Sequence, residues 1–372
     1  MVDLAISSEG RGSALVSHEP QAKDLRQFIH NLEQARRLVR IKEAADWKFE
    51  IGRITRERRE PLLFENIKGY PGQRIFTNGL SDVSSIALAL GVEPGTSRKT
   101  LISIAKKRAA EPIKPRQVEF GPVLANIVAA SDVDLLKLPV PQWSDRDGGR
   151  YLGTWHINVT KDPEEGIRNV GVYRMQMLGP RQATVSASPR SHLSQHFAKA
   201  EAAGRSLPMA VAIGVSEPVM MAAAAAFPAG LDEYELAGAL QGEAVELISC
   251  RTVDLEVPAF SEIIIEGFIH PNVRVKDGPY FDYTGKPNTN PNAFLFEAVG
   301  LIFRNNPIFR GTSIGLPGAE DHQLFAFLAE LGLVDFHGSR LKHAIQQPLL
   351  RRHLFRTFQM AGKIGSVVRG RS

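Results

Sequence analysis

The segment Asn169-Val170-Gly171-Val172-Tyr173-Arg174-Met175-Gln176-Met177-Leu178 alternates in the manner of a β-strand. Val170, Val172, Arg174, Gln176 and Leu178 share one face, and Gly171, Tyr173, Met175 and Met177 share the other. Arg174 is its most informative member. A guanidinium flanked by Val172, Tyr173, Met175 and Met177 lies near a core unless the strand faces a cleft, and burying an unpaired charge is costly. Arg174 therefore needs an acidic partner or an anionic ligand, and from the residues alone both remain open.

A second strand follows the same period, with Ser261, Ile263 and Ile265 on one side and Glu262, Ile264 and Glu266 on the other. Between the two lie helical candidates at Leu193–Ala203 and Glu233–Leu240, and an apolar run Met220–Phe227. Short strands with helical insertions point to a mixed sheet or split barrel rather than a doubly wound parallel sheet. Upstream, Asp24 can cap a helix whose Leu25, Phe28, Ile29 and Leu32 form one face. Leu38–Ile41 and Leu62–Glu65 read as strands, Gly69-Tyr70-Pro71-Gly72 as a turn, and Val83–Leu90 as a helix. The fold class is α/β (mixed α+β): a flexible leader at 1–22, a small N-terminal α/β unit at 23–115, a split-barrel-like domain at 116–320 and a basic tail at 321–372. The Lys/Arg/Pro-rich passage Arg98–Arg116 reads as the linker.

The 372 residues carry 45 Lys plus Arg against 40 Asp plus Glu, with 43% hydrophobic and 23% charged side chains, an ordinary globular balance. Residues 338–372 hold eight Lys or Arg and no acid, which leaves 37 basic and 40 acidic residues in the body. The positive excess belongs to the tail. No RNA-binding aromatic motif, zinc spacing or helix-turn-helix accompanies it, so nucleic acid is not expected as a partner. Cys250 is the single cysteine, which excludes an intramolecular disulfide. The longest apolar run, Val219–Phe227, is too short for a bilayer. A soluble cytoplasmic protein with no stable membrane insertion is expected.

There is no G-x-S-x-G elbow, P-loop, G-x-G-x-x-G or C-x-x-C. Chemistry-bearing residues concentrate instead between Tyr151 and Gly285. In Lys276-Asp277-Gly278-Pro279-Tyr280-Phe281-Asp282 a Gly-Pro turn can bring two carboxylates toward one point, and the aromatic pair can desolvate one of them; turn formation alone also accounts for the pattern. His192 and Glu233 are equally open between structural roles and ligation, although Asn, His and Glu together suit a divalent cation such as Mn²⁺. Asn169 and Arg174 fall on opposite faces of a straight strand, so Asn169 must precede the strand or sit at a bulge.

On these residues the chain resembles the UbiD family of reversible carboxy-lyases, which use prenylated FMN, from about Asp24 to Gln323. The resemblance rests on Asp24-Leu25-Arg26-Gln27-Phe28-Ile29, Leu135–Pro141, Asp147-Gly148-Gly149-Arg150-Tyr151, Asn169-x-Gly171-x-Tyr173-Arg174-x-Gln176, His192, Asp232-Glu233, Asp254–Ala259, Glu262, Glu266-Gly267 and Gly278-Pro279 with Asp282 and Gly285. It implies a metal site of Asn169, His192 and Glu233 for Mn²⁺ or another divalent cation, with K⁺ a further candidate. It implies cofactor contacts from Asn169, Val172, Tyr173, Arg174, Ser188, Pro189, Arg190, His192, Leu193, Ser194 and Glu233. Arg174 is implied to orient the substrate carboxylate, Asp277 to hold that arginine, and Asp282 to protonate the carbon that loses CO₂.

The implied activity is decarboxylation of an aromatic or α,β-unsaturated acid, 4-hydroxybenzoate-like acids included. A flavin prenyltransferase would supply the cofactor, and a homo-oligomer is expected where the C-terminus permits. Three departures stand out: Asp277 where many relatives have Glu, Leu193-Ser194-Gln195 where a glycine pair is common, and an end that lacks most of the family's C-terminal α/β domain. The shortened end motivates an alternative, a non-catalytic truncated homologue that binds flavin or partner subunits. A metal-assisted hydrolase using His192 and Glu233 is a weaker third reading.

Overall fold

The computed structural model describes residues 22–226, 232–282, 285–315 and 318–334. The expected leader lies outside them except for Ala22, which is buried, and the basic stretch from 335 onward lies outside them entirely. Asp24 accepts a bond from the Gln27 amide (2.8 Å) and starts α1 (Leu25–Gln34), which buries Leu25, Phe28, Ile29 and Leu32 as their spacing demands. β1 (Val39–Ile41), α2 (Glu50–Glu57), β2 (Leu62–Phe64), β3 (Arg74–Thr77) and α3 (Val83–Ala89) follow. The expected linker is mostly a helix, α4 (Arg98–Ala109), capped by Ser97 and buried through Leu101 and Ala105. Lys99, Lys106 and Lys107 occupy the outer face, and that composition hid a helix whose fully buried edge is only two residues wide.

β4 (Arg116–Gln117), β5 (Asn126–Ala129), β6 (Tyr151–Gly153), β7 (His156–Lys161), β8 (Arg168–Gly171), β9 (Met175–Gln176) and β10 (Gln182–Val185) lead into α5 (His192–Ala202). Then come β11 (Leu207–Ile213), α6 (Glu217–Ala223), α7 (Glu233–Gln241), β12 (Glu246–Ser249), β13 (Glu256–Pro258), β14 (Ile263–Phe281), β15 (Pro287–Phe303), β16 (Ile308–Arg310) and α8 (Glu320–Leu331). A seven-stranded antiparallel sheet, ordered β10-β15-β14-β11-β7-β8 with β5 added to β15, curls into a half-barrel. Alternation along β11 and β14 sends Met209, Val211, Ile213, Ile263 and Ile265 into one core and Ala210, Ala212 and Ile264 into another, so the sheet is covered on both faces. Glu262 and Glu266 are fully buried on it. Glu262 is matched by Arg26 and Arg304, and Glu266 by the Arg251 and Thr252 amides.

A smaller sheet, β1-β2-β3-β16, takes its last strand from beyond the barrel, since β16 pairs in parallel with β3. α8 starts at Glu320, the last residue assigned to the barrel domain, and runs into the stretch assigned to the tail, where its Glu330 pairs with Arg98 of α4 (2.9 Å). Among the described residues no helix is long and apolar enough to cross a membrane.

Two local expectations are corrected. The strand read from Val170 to Leu178 breaks: β8 ends at Gly171, and β9 pairs with β6 instead. The Tyr173 amide leaves the ladder to donate to Asn158 Oδ1 (3.1 Å), and the Tyr173 ring folds over Gly171, where a Cβ would lie 2.7 Å from it. Asn169 is therefore an ordinary member of β8, paired with Thr160, and it is Arg174 that lies beyond the strand. Likewise Asp277–Phe281 is not a turn but the end of β14, with register shifts on both sides of Asp277. Pro279 is tolerated because the pairing slips there, and its carbonyl takes the Gly148 amide (2.7 Å).

Candidate functional site

Glu233 opens α7, whose cap Asp232 is held by Arg168 (2.8 Å). That tie brings the Glu233 carboxylate to the β8 edge, where Oε2 accepts the Val170 amide (3.0 Å) beside buried Asn169. Asn169 Nδ2 reaches the Tyr173 hydroxyl (3.4 Å), which also faces Ser191 and the Leu193 amide at the N-terminus of α5. Tyr173 thus gathers β8, α7 and the start of α5 around one point. His192 is the first residue of α5, half-buried between the two residues that face that hydroxyl. Ser188, Pro189 and Arg190 form the exposed turn before it, and Ser191 caps the helix by accepting the Ser194 amide (3.3 Å). Ser194 is buried, and Val172 is half-buried against the core. The Leu193 side chain is buried as well, so what that residue turns toward the site is its backbone amide.

Burial pushes the Glu233 carboxyl up to about 7, and neighbouring Asp232 adds to it. No cation pairs with Glu233 within 4.0 Å among the described residues, so the environment is short of a positive charge. A divalent ion fits that deficit and the oxygen donors of Glu233 and Asn169. Among the described residues no three His, Cys, Asp or Glu side chains stand ready as a metal cluster, so the expected set depends on the Asn169 amide. The α5 N-terminus offers backbone amides, with exposed Arg190 in the turn just before it, a setting that suits a phosphate.

Arg174 lies at the other end of this segment. Its Nη2 bonds Asp277 Oδ1, and Asp277 is fully buried, taking a second bond from Thr184 Oγ1 (2.6 Å). The guanidinium sits over the Tyr280 ring (5.0 Å), which itself stacks on Tyr151 (4.2 Å). Arg174 Nε is buried with no hydrogen-bond partner among the described residues. Asp282 directly follows the same strand, half-buried, and accepts from Asn288 Nδ2 (3.3 Å); Arg174 bonds Asp277, not Asp282. Gly315, at φ 93°, comes so close that a Cβ would lie 2.4 Å from the Asp282 carbonyl oxygen. Beside it opens a cleft of about 350 Å³, lined by Arg56, Trp143, Ser144, Asp147, Phe281 and Ser313 among others.

Sequence reasoning missed Thr184, and it quoted Gln176 and Asp147 within motifs without giving either a role. Thr184 Oγ1 joins the Gln176 amide (2.9 Å) to Asp277, and Gln176 Oε1 takes the Gly278 amide (2.8 Å), so these two fix the bulged strand under Asp277. Asp147 accepts the Phe281 amide (3.4 Å), and burial pushes its carboxyl up to about 6. Their signal was faint: single polar residues in strands and loops that only a distant partner makes legible.

The sequence description of the 3-octaprenyl-4-hydroxybenzoate carboxy-lyase Rift-related domain matches residues 116–317, and that of the N-terminal domain of the same enzymes matches 29–104. The chain belongs to the UbiD family. It is 32% identical over 329 residues to a pyrrole-2-carboxylic acid decarboxylase of Pseudomonas aeruginosa, covering 84% of this chain and 66% of the relative. Vanillic acid decarboxylase of Sedimentibacter hydroxybenzoicus in closed form superposes with TM-score 0.79 at 31% identity, covering 82% of this chain and 67% of the other. An evolved dimeric form of the UbiD-class enzyme HmfF from Pelotomaculum thermopropionicum, in complex with prFMN, gives 0.77 at 33% identity and coverages of 83% and 71%. The chain spans just under two thirds of the length of the curated UbiD relatives it matches, 66% for the Pseudomonas enzyme.

Proposed function

We propose that this chain is a UbiD-type decarboxylase that acts reversibly on an aromatic or α,β-unsaturated carboxylic acid with prenylated FMN and Mn²⁺. The observation that carries the reading is Arg174: buried Asp277 fixes it, and its Nε is buried without a partner among the described residues. A buried N–H left open in this way suits an anionic ligand, and a carboxylate matches the planar fork of a guanidinium. Asn169, His192 and Glu233 would hold the metal, while the α5 N-terminus, Tyr173 and Arg190 would meet the phosphate. The bound prenylated flavin supplies the electron sink that no side chain offers to an sp² carbon losing CO₂.

Within that frame Arg174 orients the substrate carboxylate and Asp277 keeps the arginine from turning away. Once CO₂ has left, the Asp282 carboxyl gives a proton to the carbon that carried it and is reprotonated from solvent. The apolar walls around Tyr151 and Tyr280 favour neutral CO₂ over a carboxylate, and the same groups serve the reverse reaction at high CO₂. Self-association is part of this reading, with the dimeric HmfF form as its nearest support.

The test is co-production with a flavin prenyltransferase, followed by a native mass spectrum and a CO₂-release assay over a panel of benzoic, pyrrole-carboxylic and cinnamic acids. Bound modified flavin and CO₂ release are expected. Glu233→Gln should lose metal and flavin together, whereas Asp282→Asn should keep both and lose turnover by about 10²–10⁴-fold. A folded protein that binds no flavin overturns the reading.

A further inference from the structure

β7 lies between β11 and β8 in the curled sheet, and strand alternation puts His156, Asn158 and Thr160 on one of its faces. All three are fully buried. Three polar side chains in a row on a covered strand are unfavourable unless each has a partner. Each has one in the segment that builds the site, and Asn158 Nδ2 also reaches the Met175 and Met209 sulfurs (3.2 and 3.7 Å). His156 Nε2 bonds the Tyr173 carbonyl (3.0 Å), Asn158 Oδ1 accepts the Tyr173 amide (3.1 Å), and Thr160 Oγ1 bonds His196 Nδ1 of α5 (3.0 Å).

The pairing register makes the arrangement informative. β7 and β8 pair Thr160 with Asn169 and Asn158 with Gly171, so a continued ladder would set His156 opposite Tyr173. Two side chains instead take up both backbone polar groups of Tyr173, which holds that residue away from β7. Two glycines make the room. A Cβ on Gly153 would lie 2.4 Å from the His156 ring, and one on Gly171 would lie 2.7 Å from the Tyr173 ring.

We propose that His156 and Asn158 are positioning residues: by holding the Tyr173 backbone off the sheet they send the Tyr173 hydroxyl to the Asn169 and α5 end and the Arg174 guanidinium to Asp277. A carbonyl only accepts, so His156 carries its proton on Nε2. Its Nδ1 is bare and buried, without a partner among the described residues. Burial holds the ring neutral, with its pKa down at about 4. The inference rests on the reading of Arg174 as the carboxylate anchor, but its geometry can be tested without turnover.

The experiment uses the full chain with His156→Leu, His156→Gln, Asn158→Leu and Asn158→Asp. Gln keeps an N–H for the Tyr173 carbonyl, and Asp keeps an acceptor for the Tyr173 amide in an equal volume. On apoprotein at neutral pH, ¹⁵N-histidine spectra should show His156 as the Nε2–H tautomer. Tyr173 amide exchange should be at least tenfold faster in Asn158→Leu than in wild type or Asn158→Asp. FMN, titrated by fluorescence, should bind at least tenfold more weakly to both Leu variants and near normally to His156→Gln.

In flavin-loaded protein the Leu variants should lose kcat by about 10²-fold, the scale of an ångström-sized misplacement, with Gln restoring most of it. Folded Leu variants with wild-type Tyr173 exchange and FMN affinity overturn the proposal, as does an Nδ1–H tautomer. If wild type shows the tautomer, the protected amide and FMN binding but releases no CO₂, the positioning role stands and the decarboxylase reading falls.

Discussion

Arg310 and Arg174 are both arginines enclosed by β-structure, and they are finished in opposite ways. Arg310 is saturated: Nε meets Glu217 (3.0 Å), Nη1 and Nη2 meet Glu320 (3.1 and 2.6 Å), and Nη1 also meets the Gly311 carbonyl (2.9 Å). Its plane is stacked on Trp155 (4.6 Å) and Phe76 (5.1 Å), so it joins β16, α6, α8 and the small sheet with every nitrogen partnered. Arg174 has one acid, one aromatic face and a buried Nε with no partner among the described residues. A cation closed on every side holds a structure together. One left open on a single edge retains the capacity to recognise something else, and the cost of that open edge is carried by the surrounding fold.

The contrast can be broken from either side. Arg174→Gln keeps a donor for Asp277 but loses the fork, and turnover of the flavin-loaded protein should fall about 10³-fold, or ~4 kcal/mol, with only a small change in urea midpoint. An equal loss of stability would place Arg174 with the structural arginines. Arg310→Met strands two buried acids and should lower unfolding free energy by about 3 kcal/mol in urea titrations, while activity per folded molecule survives. If activity disappears with the fold intact, Arg310 is not merely a clamp.

Asp147 sharpens the comparison from the acid side. Unlike Glu320, it has no arginine within 4.0 Å among the described residues, and its folded pKa is about 6 against 3.8 for the ordinary group. The folded state therefore holds the proton more tightly. The stability that this supplies is complete below about pH 4 and disappears as pH rises through 6. Asp147→Asn should match wild type near pH 4 and exceed it by ~2 kcal/mol at pH 8, measured by urea melts at each pH. A difference that stays flat with pH would mean that folding does not raise the Asp147 pKa.

One helix face was legible from local spacing: α1 starts at Asp24, whose carboxylate caps it, and buries Leu25, Phe28, Ile29 and Leu32 as the period selects. The curled sheet was legible from the period of two. What failed depended on partners far away in the chain. Val170 to Leu178 alternates without fault, yet Asn158 and His156 interrupt it, and nothing within the segment announces them. Gly278-Pro279 carries every local mark of a turn, but the register slip against β15 absorbs it into a strand. Arg98–Ala109 looked like a linker because charge dominates its composition, although Leu101 and Ala105 suffice to seat it. The candidate site residues could be named from the motifs that carry the resemblance, whereas the supporting roles of Thr184 and Gln176 could not, since a hydroxyl or amide gains meaning only from the distant group it serves.

β16 gives this protein an order of operations. The small sheet near the start of the chain cannot be finished until the barrel has been synthesised, because its last strand lies beyond β15. A nascent chain ending before Ile308 would display β3 as a bare margin of amides and carbonyls, open to any passing strand. The N-terminal lobe is thus a doorway that only its own later sequence can shut, and excising it as an independent module would leave that doorway standing open to aggregation.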